Sequence, residues 1–369
     1  MDNIKQKNPI IISYWQIFLL TIAQGGGATI LNLPGVIEAG RNIWLSNILA
    51  SFIGYLAIYL HYKPLSVSKI ISMPMVLTKY WGRFIGGIVC LYYFYYLFIL
   101  CNLVLSDVFY FGKITMPETP GYIFAIFLMA PAIYAVKLGL EAMSRFLEFL
   151  IPPLIGLYIF LFILVIPKLN FSNLLPIASD GILPILRGAI FNMSFPFADF
   201  LPIVFFYQYI KDDINKDRKF IKSTFSAVFL ITVMLTFRAI TSVAAFEEAT
   251  LKSLTFPPFN TIRIIEVGDV LERLDAIFIA IFYGTTFFKF TLTYYVACKI
   301  VSDYFNAVEV KIFSTPIAVL IGLSMPFLMP SFNIILRTSI TYFFITLPLL
   351  FILPLLLYVT INVKGNIKG

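Results

Sequence analysis

The chain has 369 residues, 60% of them hydrophobic and only 12% charged, with 27 Lys and Arg against 19 Asp and Glu. Soluble globular domains carry about 25% charged residues, so a water-soluble enzyme or nucleic-acid-binding domain is excluded. The formal net charge of +8 belongs to loops, where it reports membrane orientation. The apolar runs are continuous rather than alternating, which excludes an outer-membrane barrel.

Apolar runs on the order of 20 residues, the length that spans a bilayer, predict ten transmembrane helices, at about 12–37, 43–62, 83–106, 120–137, 143–166, 182–209, 220–244, 271–300, 313–332 and 338–360. The first run contains Gly25, Gly26, Gly27 and Ala28, followed by Asn32-Leu33-Pro34-Gly35. Glycine lets the backbone leave helical geometry and approach a ligand, and Pro34 cannot donate a helix bond. The run therefore reads as a broken helix presenting bare amides and carbonyls. Close packing of small residues between helices is the structural alternative. No cleavable signal peptide is expected, because this run is too long for one and lacks a small-residue exit.

The second span ends near His61, read as interfacial. The stretch Ile70 to Leu77 then reads as a segment lying in the interface. Tyr92, Tyr93, Tyr95 and Tyr96 crowd the first half of the third span. Some must face inward, where a hydroxyl needs a partner, so Tyr95 and Tyr96 are candidate pocket walls, with lipid-facing packing an equal alternative. Glu141 and Arg145 have the i, i+4 spacing of an ion pair at the turn into the fifth span. Cys90, Cys101 and Cys298 sit inside apolar runs without ligand spacing and read as packing thiols.

The sixth span repeats the theme of the first, nearly half the chain later. Ser194, Phe195, Pro196, Phe197 and Asp199 interrupt it. Pro suits the start of a new helix, and Asp in a first turn complements the positive helix end. Matched breaks in two halves point to a small-molecule site of the transporter kind. Asp199 then reads either as holder of an ammonium or a proton, or as a simple helix cap.

Beyond a charged inner loop at residues 211–219, the eighth span opens with Glu272, Arg273 and Asp275. Asp269 and Glu272 make a capping box, and Arg273 with acidic partners makes an alternative outer gate. Deeper in this span lie Thr285 and Thr286, candidates with the aromatic residues of spans 3 and 6 for shaping a ligand's side-chain pocket, then Lys289, about 16 Å from the inner end at 1.5 Å per residue. Snorkelling covers only part of that distance. Lys289 is therefore read as a substitute for a coupling cation at the carbonyls of the first break, or as a structural pair with an acid. Most Lys and Arg fall on the face shared by both termini, placing both in the cytoplasm. There is no H-E-x-x-H, Walker loop or G-x-S-x-G, so an enzyme, a bound cofactor, a metal site and an ATP-driven pump are not expected.

The chain resembles the B subunits of GerA-type spore germinant receptors, in the spore permease branch of the amino acid–polyamine–organocation superfamily. The resemblance covers nearly the whole length. It rests on Ile12-Ser13-Tyr14-Trp15-Gln16, Asn32-Leu33-Pro34, Trp44-Leu45, Gly139-Leu140-Glu141 with Arg145, Phe195-Pro196-Phe197 followed by Asp199, and Glu272-Arg273 with Asp275 and later Phe288-Lys289. Asn42-Ile43 departs from it, since an acidic residue usually precedes the tryptophan.

The resemblance implies a LeuT-like fold of five-plus-five inverted repeats with helices 1 and 6 broken. It also implies a small germinant, an amino acid or nucleoside, and assembly with an A-type subunit and a lipoprotein C-type subunit in a spore inner membrane. The chain is then one transmembrane domain, with repeats at about 12–166 and 182–332 and a last helix at about 338–360. The amides of Gly25 to Ala28 and Phe195 to Phe197 would hold a carboxylate, and Asp199 or a freed carbonyl the amine. The competing readings are a proton-coupled secondary amino acid transporter on the same fold and a membrane channel.

Overall fold

The computed structural model describes residues 11–366 apart from 71, 212 and 266–273. The described part is helical: α1 Tyr14–Gly26, α2 Val36–Ala39, α3 Ile43–Ser68, α4 Met73–Thr115, α5 Gly121–Leu138, α6 Leu140–Val165, α7 Leu183–Ser194, α8 Leu201–Val204, α9 Lys216–Ala245, α10 Glu248–Ser253, α11 Pro257–Arg263, α12 Leu274–Tyr304, α13 Lys311–Leu328, α14 Phe332–Leu347 and α15 Leu353–Asn366. Among the described residues, nine helical stretches are long and apolar enough to cross a membrane.

The expected count was ten, and the difference lies in the first span. α1 begins at a capping box between Ser13 and Gln16 and runs for 13 residues. That is about 20 Å, against a hydrocarbon core of about 30 Å. It stops because Gly27 leaves helical geometry, after which the chain continues as a short turn, Ala28–Leu31.

The second interruption is equally real. α7 ends at Ser194, Phe195 is extended, and the chain resumes as a tight turn, Phe197–Phe200, that runs into α8. The two interruptions touch. A Cβ on Gly25 would lie 2.5 Å from the Phe200 ring, and one on Gly27 would lie 2.4 Å from Cβ of Lys289 on α12. The absence of side chains at these glycines is what lets α1, the α7–α8 break and α12 meet at one point. Around this point α12 lies along α4, α1 along α9, and α3 along both α7 and α9.

Residues 73–81 of α4 precede a kink at Gly82, which has φ 79°. Met73, Val76 and Leu77 are no more than 1% exposed, so this segment packs into the protein. His61 is fully buried, with Nδ1 2.8 Å from the Ala57 carbonyl oxygen. The long segment after α9 contains the short helices α10 and α11.

The contact at Gly27 generates a test. Gly27→Ala should destabilise the protein by about 1–3 kcal/mol, the usual effect of overpacking. Gly26→Ala, whose added Cβ would sit 3.6 Å from Ile231, should leave the melting temperature unchanged or raised. Thermal unfolding in detergent reads both.

Candidate functional site

An ion pair joins the two breaks. Lys289 Nζ lies 2.5 Å from Asp199 Oδ2 in the second break and 3.0 Å from Thr29 Oγ1 in the first. Both charged side chains are fully buried. The ammonium also sits 4.3 Å from the centroid of the Phe195 ring. A buried lysine needs both a counter-charge and hydrogen bonds, and here they come from two separately broken helices. Arg238 of α9, also fully buried, donates to the Thr29 carbonyl oxygen. Tyr96 of α4 donates to the Ala198 carbonyl oxygen at 2.9 Å and stacks on Tyr342 at 5.3 Å between centroids. Each break therefore has one backbone carbonyl met by a side chain from another span.

Next to this knot is a cavity of about 400 Å³. Its walls are residues 32–38 after the first break, Leu103 and Asp107 of α4, Phe191 and Phe195 of the second break, residues 252–255 and Pro257 beside α10 and α11, and Phe332 with Ile335 of α14. Asn32 Nδ2 donates to Asp107 Oδ1 at 3.2 Å, tying the first break to α4. Beside the lining residue Lys252, Glu248 of α10 is held 2.8 Å from Arg41 and 2.7 Å from Lys252.

The cradle expected at Gly25, Gly26, Gly27 and Ala28 is not open. The Phe200 ring and the Lys289 stem fill the space before Gly25 and Gly27, and Ala28 is fully buried. The available space lies one turn further along, at residues 32–38. Asp199, a candidate holder of a ligand's ammonium or of a proton, or else a helix cap, holds the ammonium of Lys289. Of the two readings of Lys289, the pair with an acid is the one found, and that acid is Asp199. Lys289 also reaches the Thr29 hydroxyl, and Arg238 takes the Thr29 carbonyl.

Of the paired tyrosines, Tyr96 is buried against the second break while Tyr95 is 45% exposed, because successive residues on a helix point about 100° apart. Tyr95 is not a pocket wall. Phe195 lines the cavity. Phe197 packs against Gly54 and Phe200. The Ser194 hydroxyl donates to the Phe191 carbonyl within its own turn at 3.0 Å.

Thr285 likewise bonds back to Ile281 at 2.8 Å and borders a gap of about 30 Å³ beside Gly26. Thr286 is buried without a hydrogen-bond partner among the described residues. Glu141 and Arg145 form their expected pair at 2.8 Å on an exposed surface, where such pairs contribute little. Asp275 accepts from the Ala276 amide at 2.9 Å. Glu272 and Arg273, with Asp269, lie outside the described residues.

Asp107, Arg238 and Asn192 were not singled out from the sequence. Both ends of the buried Asn192 amide lack a protein partner among the described residues, as do Asp199 Oδ1 and two Arg238 nitrogens. Buried polar groups of this kind are met by water or solute. For Asp107 and Arg238 a signal existed: each is an ionisable residue inside an apolar run, which is a functional pointer by default.

A family model described as "Spore germination protein" matches residues 11–333. Among curated relatives, Spore germination protein KB of Bacillus subtilis (strain 168) is 29% identical over 77% of this chain and 76% of its own length. Spore germination protein XB of Bacillus anthracis is 24% identical over 72% of this chain and 74% of its own.

Among solved structures, a Na+-coupled sialic acid symporter in a substrate-bound outward-open state superposes with TM-score 0.64 at 10% identity, over 89% of this chain and 77% of that one. An Eremococcus coleocola manganese transporter gives 0.65 at 13%, over 96% and 82%. At these identities the likeness is one of fold, and the fold is that of LeuT-type transporters.

Two tests follow from the geometry. Lys289→Met leaves a buried carboxylate unpaired and should destabilise by about 3–5 kcal/mol, whereas adding Asp199→Leu should restore much of the loss; thermal unfolding of the single and double variants checks this. On α10, the hydrogen bonds from Lys252 and then Arg41 lower the Glu248 pKa. The stability this contributes is present above the unfolded carboxylate value of about 4.3 and is lost as pH falls through the lower folded value. Amide protection factors in α10, relative to the intrinsic rate at each pH, should therefore fall in acid, and Glu248→Gln should show the lowered protection already at pH 7.

Proposed function

The chain belongs to the spore permease family of spore germination proteins, and from that premise we propose that it is a germinant-sensing subunit of a spore germination receptor. A small nutrient, an amino acid or a nucleoside, enters the cavity beside the breaks. It makes contacts that differ between two conformations and so shifts their balance. Equal affinity for both conformations would shift nothing. The shift is passed to A-type and lipoprotein C-type partner subunits in the spore inner membrane, with both termini of this chain cytoplasmic. The two halves, about 12–166 and 182–332, act as five-plus-five inverted repeats that carry one break each.

The observation that carries this reading is the position of the cavity. One wall is the exit of the first break and another is the end of α7 at the second, while Lys289 links both breaks behind them. A solute seated there touches the two elements whose relative placement the ion pair fixes. Lys289 is also covalently tethered, so the cation at the breaks stays with the protein, as suits a sensor better than an ion-coupled pump.

The test is a germination assay in a strain lacking the endogenous gene and complemented with this chain. Leu103→Trp, which fills the cavity, should raise the nutrient concentration needed for half-maximal response at least tenfold at unchanged protein level. An unchanged response would contradict the reading. Concentrative uptake of a labelled amino acid by the chain alone in proteoliposomes would favour a proton-coupled transporter instead.

A further inference from the structure

We propose that residues 169–182, which join α6 to α7, lie in the lipid headgroup layer with the membrane surface as their partner, and that through Arg41 they tie one wall of the cavity to that surface. The proposal stands whichever solute the cavity takes.

The segment stands between two stretches long and apolar enough to cross a membrane, Leu140–Lys168 and Leu183–Tyr209. It lies at the end of the bundle where Arg41 meets Glu248. The other end is where Ile12 pairs with Ile210. Apart from the short turn Phe171–Leu174, its backbone is irregular, and irregular backbone exposed to lipid does not occur within hydrocarbon. Its main chain is tied on the protein side. Arg41 donates to the Leu175 carbonyl oxygen. The Ala178 amide donates to Asn42 Oδ1 at 3.2 Å, and the Asn170 amide to the Ala244 carbonyl oxygen at 2.9 Å.

The apolar side chains turn the other way. Phe171, Leu175, Ile177 and Ile182 are each half exposed or more. The other long connection at this end, residues 246–265, leaves no large hydrophobic side chain exposed, so the pattern belongs to this segment and not to connections in general. A cluster of exposed apolar side chains marks a membrane or a protein contact, and two observations choose the membrane.

The first is continuity. Leu183, Leu186 and Ile190 are exposed at i, i+3 and i+7, which is one face of α7. Ile159 and Ile163 make the matching stripe on α6, and Ile166 extends it past the helix end. On spanning helices such stripes face lipid, and the exposed side chains of the segment join the end of one stripe to the end of the other. The second is charge. Arg187, one turn into α7 beside Leu183 and Ile190, is exposed and makes no hydrogen bond or ion pair among the described residues. A guanidinium at the edge of the hydrocarbon reaches the headgroups along its stem, where its planar fork matches phosphate oxygens.

Arg41 carries the consequence inward. While it holds the Leu175 carbonyl it also donates from Nε to Glu248 Oε2 at 2.8 Å. Glu248 belongs to α10, whose Lys252 and Ser253 line the cavity. Headgroups, segment, Arg41 and α10 are thus joined in series. A change in how the segment sits among the headgroups bears on that wall.

The test uses the full chain in nanodiscs of phosphatidylethanolamine and phosphatidylglycerol. A spin label enters through Ile177→Cys, with Phe149→Cys on the exposed face of α6 as lipid reference and Ile214→Cys as aqueous reference. The native cysteines are buried. Power saturation should show frequent collisions with oxygen at 177 and collisions with a water-soluble nickel chelate at least threefold fewer than at 214. Nickel collisions equal to those at 214 would put the segment in water, leave it for a protein partner and overturn the proposal. Few collisions with either reagent would mean that the chain itself covers the site, and would overturn it too.

A second variant, Ile177→Asp with Ile182→Asp, puts carboxylates where lipid should be, at exposed positions from which the fold draws little. Amide protection factors in α10 should fall at least fivefold, while those in the first turns of α9, at the opposite end, stay unchanged. Unchanged protection in α10 would overturn the tie to the cavity wall. An equal fall at both ends would show an effect on overall stability alone and would likewise overturn it.

Discussion

The structure depends on one buried ion pair. Two helices stop inside the apolar region, and each stop frees backbone groups that hydrocarbon cannot satisfy. Lys289 reaches both stops at once, through the Thr29 hydroxyl and the Asp199 carboxylate. Arg238 and Tyr96 complete the arrangement by meeting one carbonyl on each side. The consequence is mechanical: the breaks are held to each other and to α12, so a displacement of one is felt by the others.

This arrangement also relocates the solute site. Bare amides at three glycines look like a cradle when only their own helix is considered. In the folded chain the same lack of side chains admits Phe200 and the Lys289 stem, and the free volume is pushed to the next turn, between Asn32, Asp107, Phe191 and Phe195. The cavity therefore has the breaks as walls without having the glycines as its floor. Occupancy there bears on Asn32 and Phe195, which in turn touch Asp107 and Lys289.

Both breaks were legible in the sequence because their cause is local: glycines and a proline change backbone behaviour wherever they occur. The spans were legible from length and apolarity, apart from the first, which Gly27 shortens to 13 residues. Partnerships across spans were not legible. Lys289 finds Asp199 at a separation of 90 residues, and Arg238 finds Thr29 at 209; no sequence period encodes such distances. Tyr95 and Tyr96 illustrate the other limit. The third span is aromatic on several faces, so nothing in the pattern fixes its rotation, and only packing shows that Tyr96 faces the second break. Asp107 could have been found by treating every acid within an apolar run as a candidate.

A solute in the cavity should change the spacing between the segment after the first break, which carries Ile37, and α10, which carries Ser253. This change is tested most directly by pulsed electron–electron spin resonance on the full chain in nanodiscs, with labels at Ile37 and Ser253 across the cavity, with and without the nutrient that triggers response in the spore assay. The account predicts a distance distribution that narrows and shifts on adding the nutrient, and that loses this response in the Leu103→Trp background. Identical distributions with and without a nutrient that demonstrably triggers germination would contradict it.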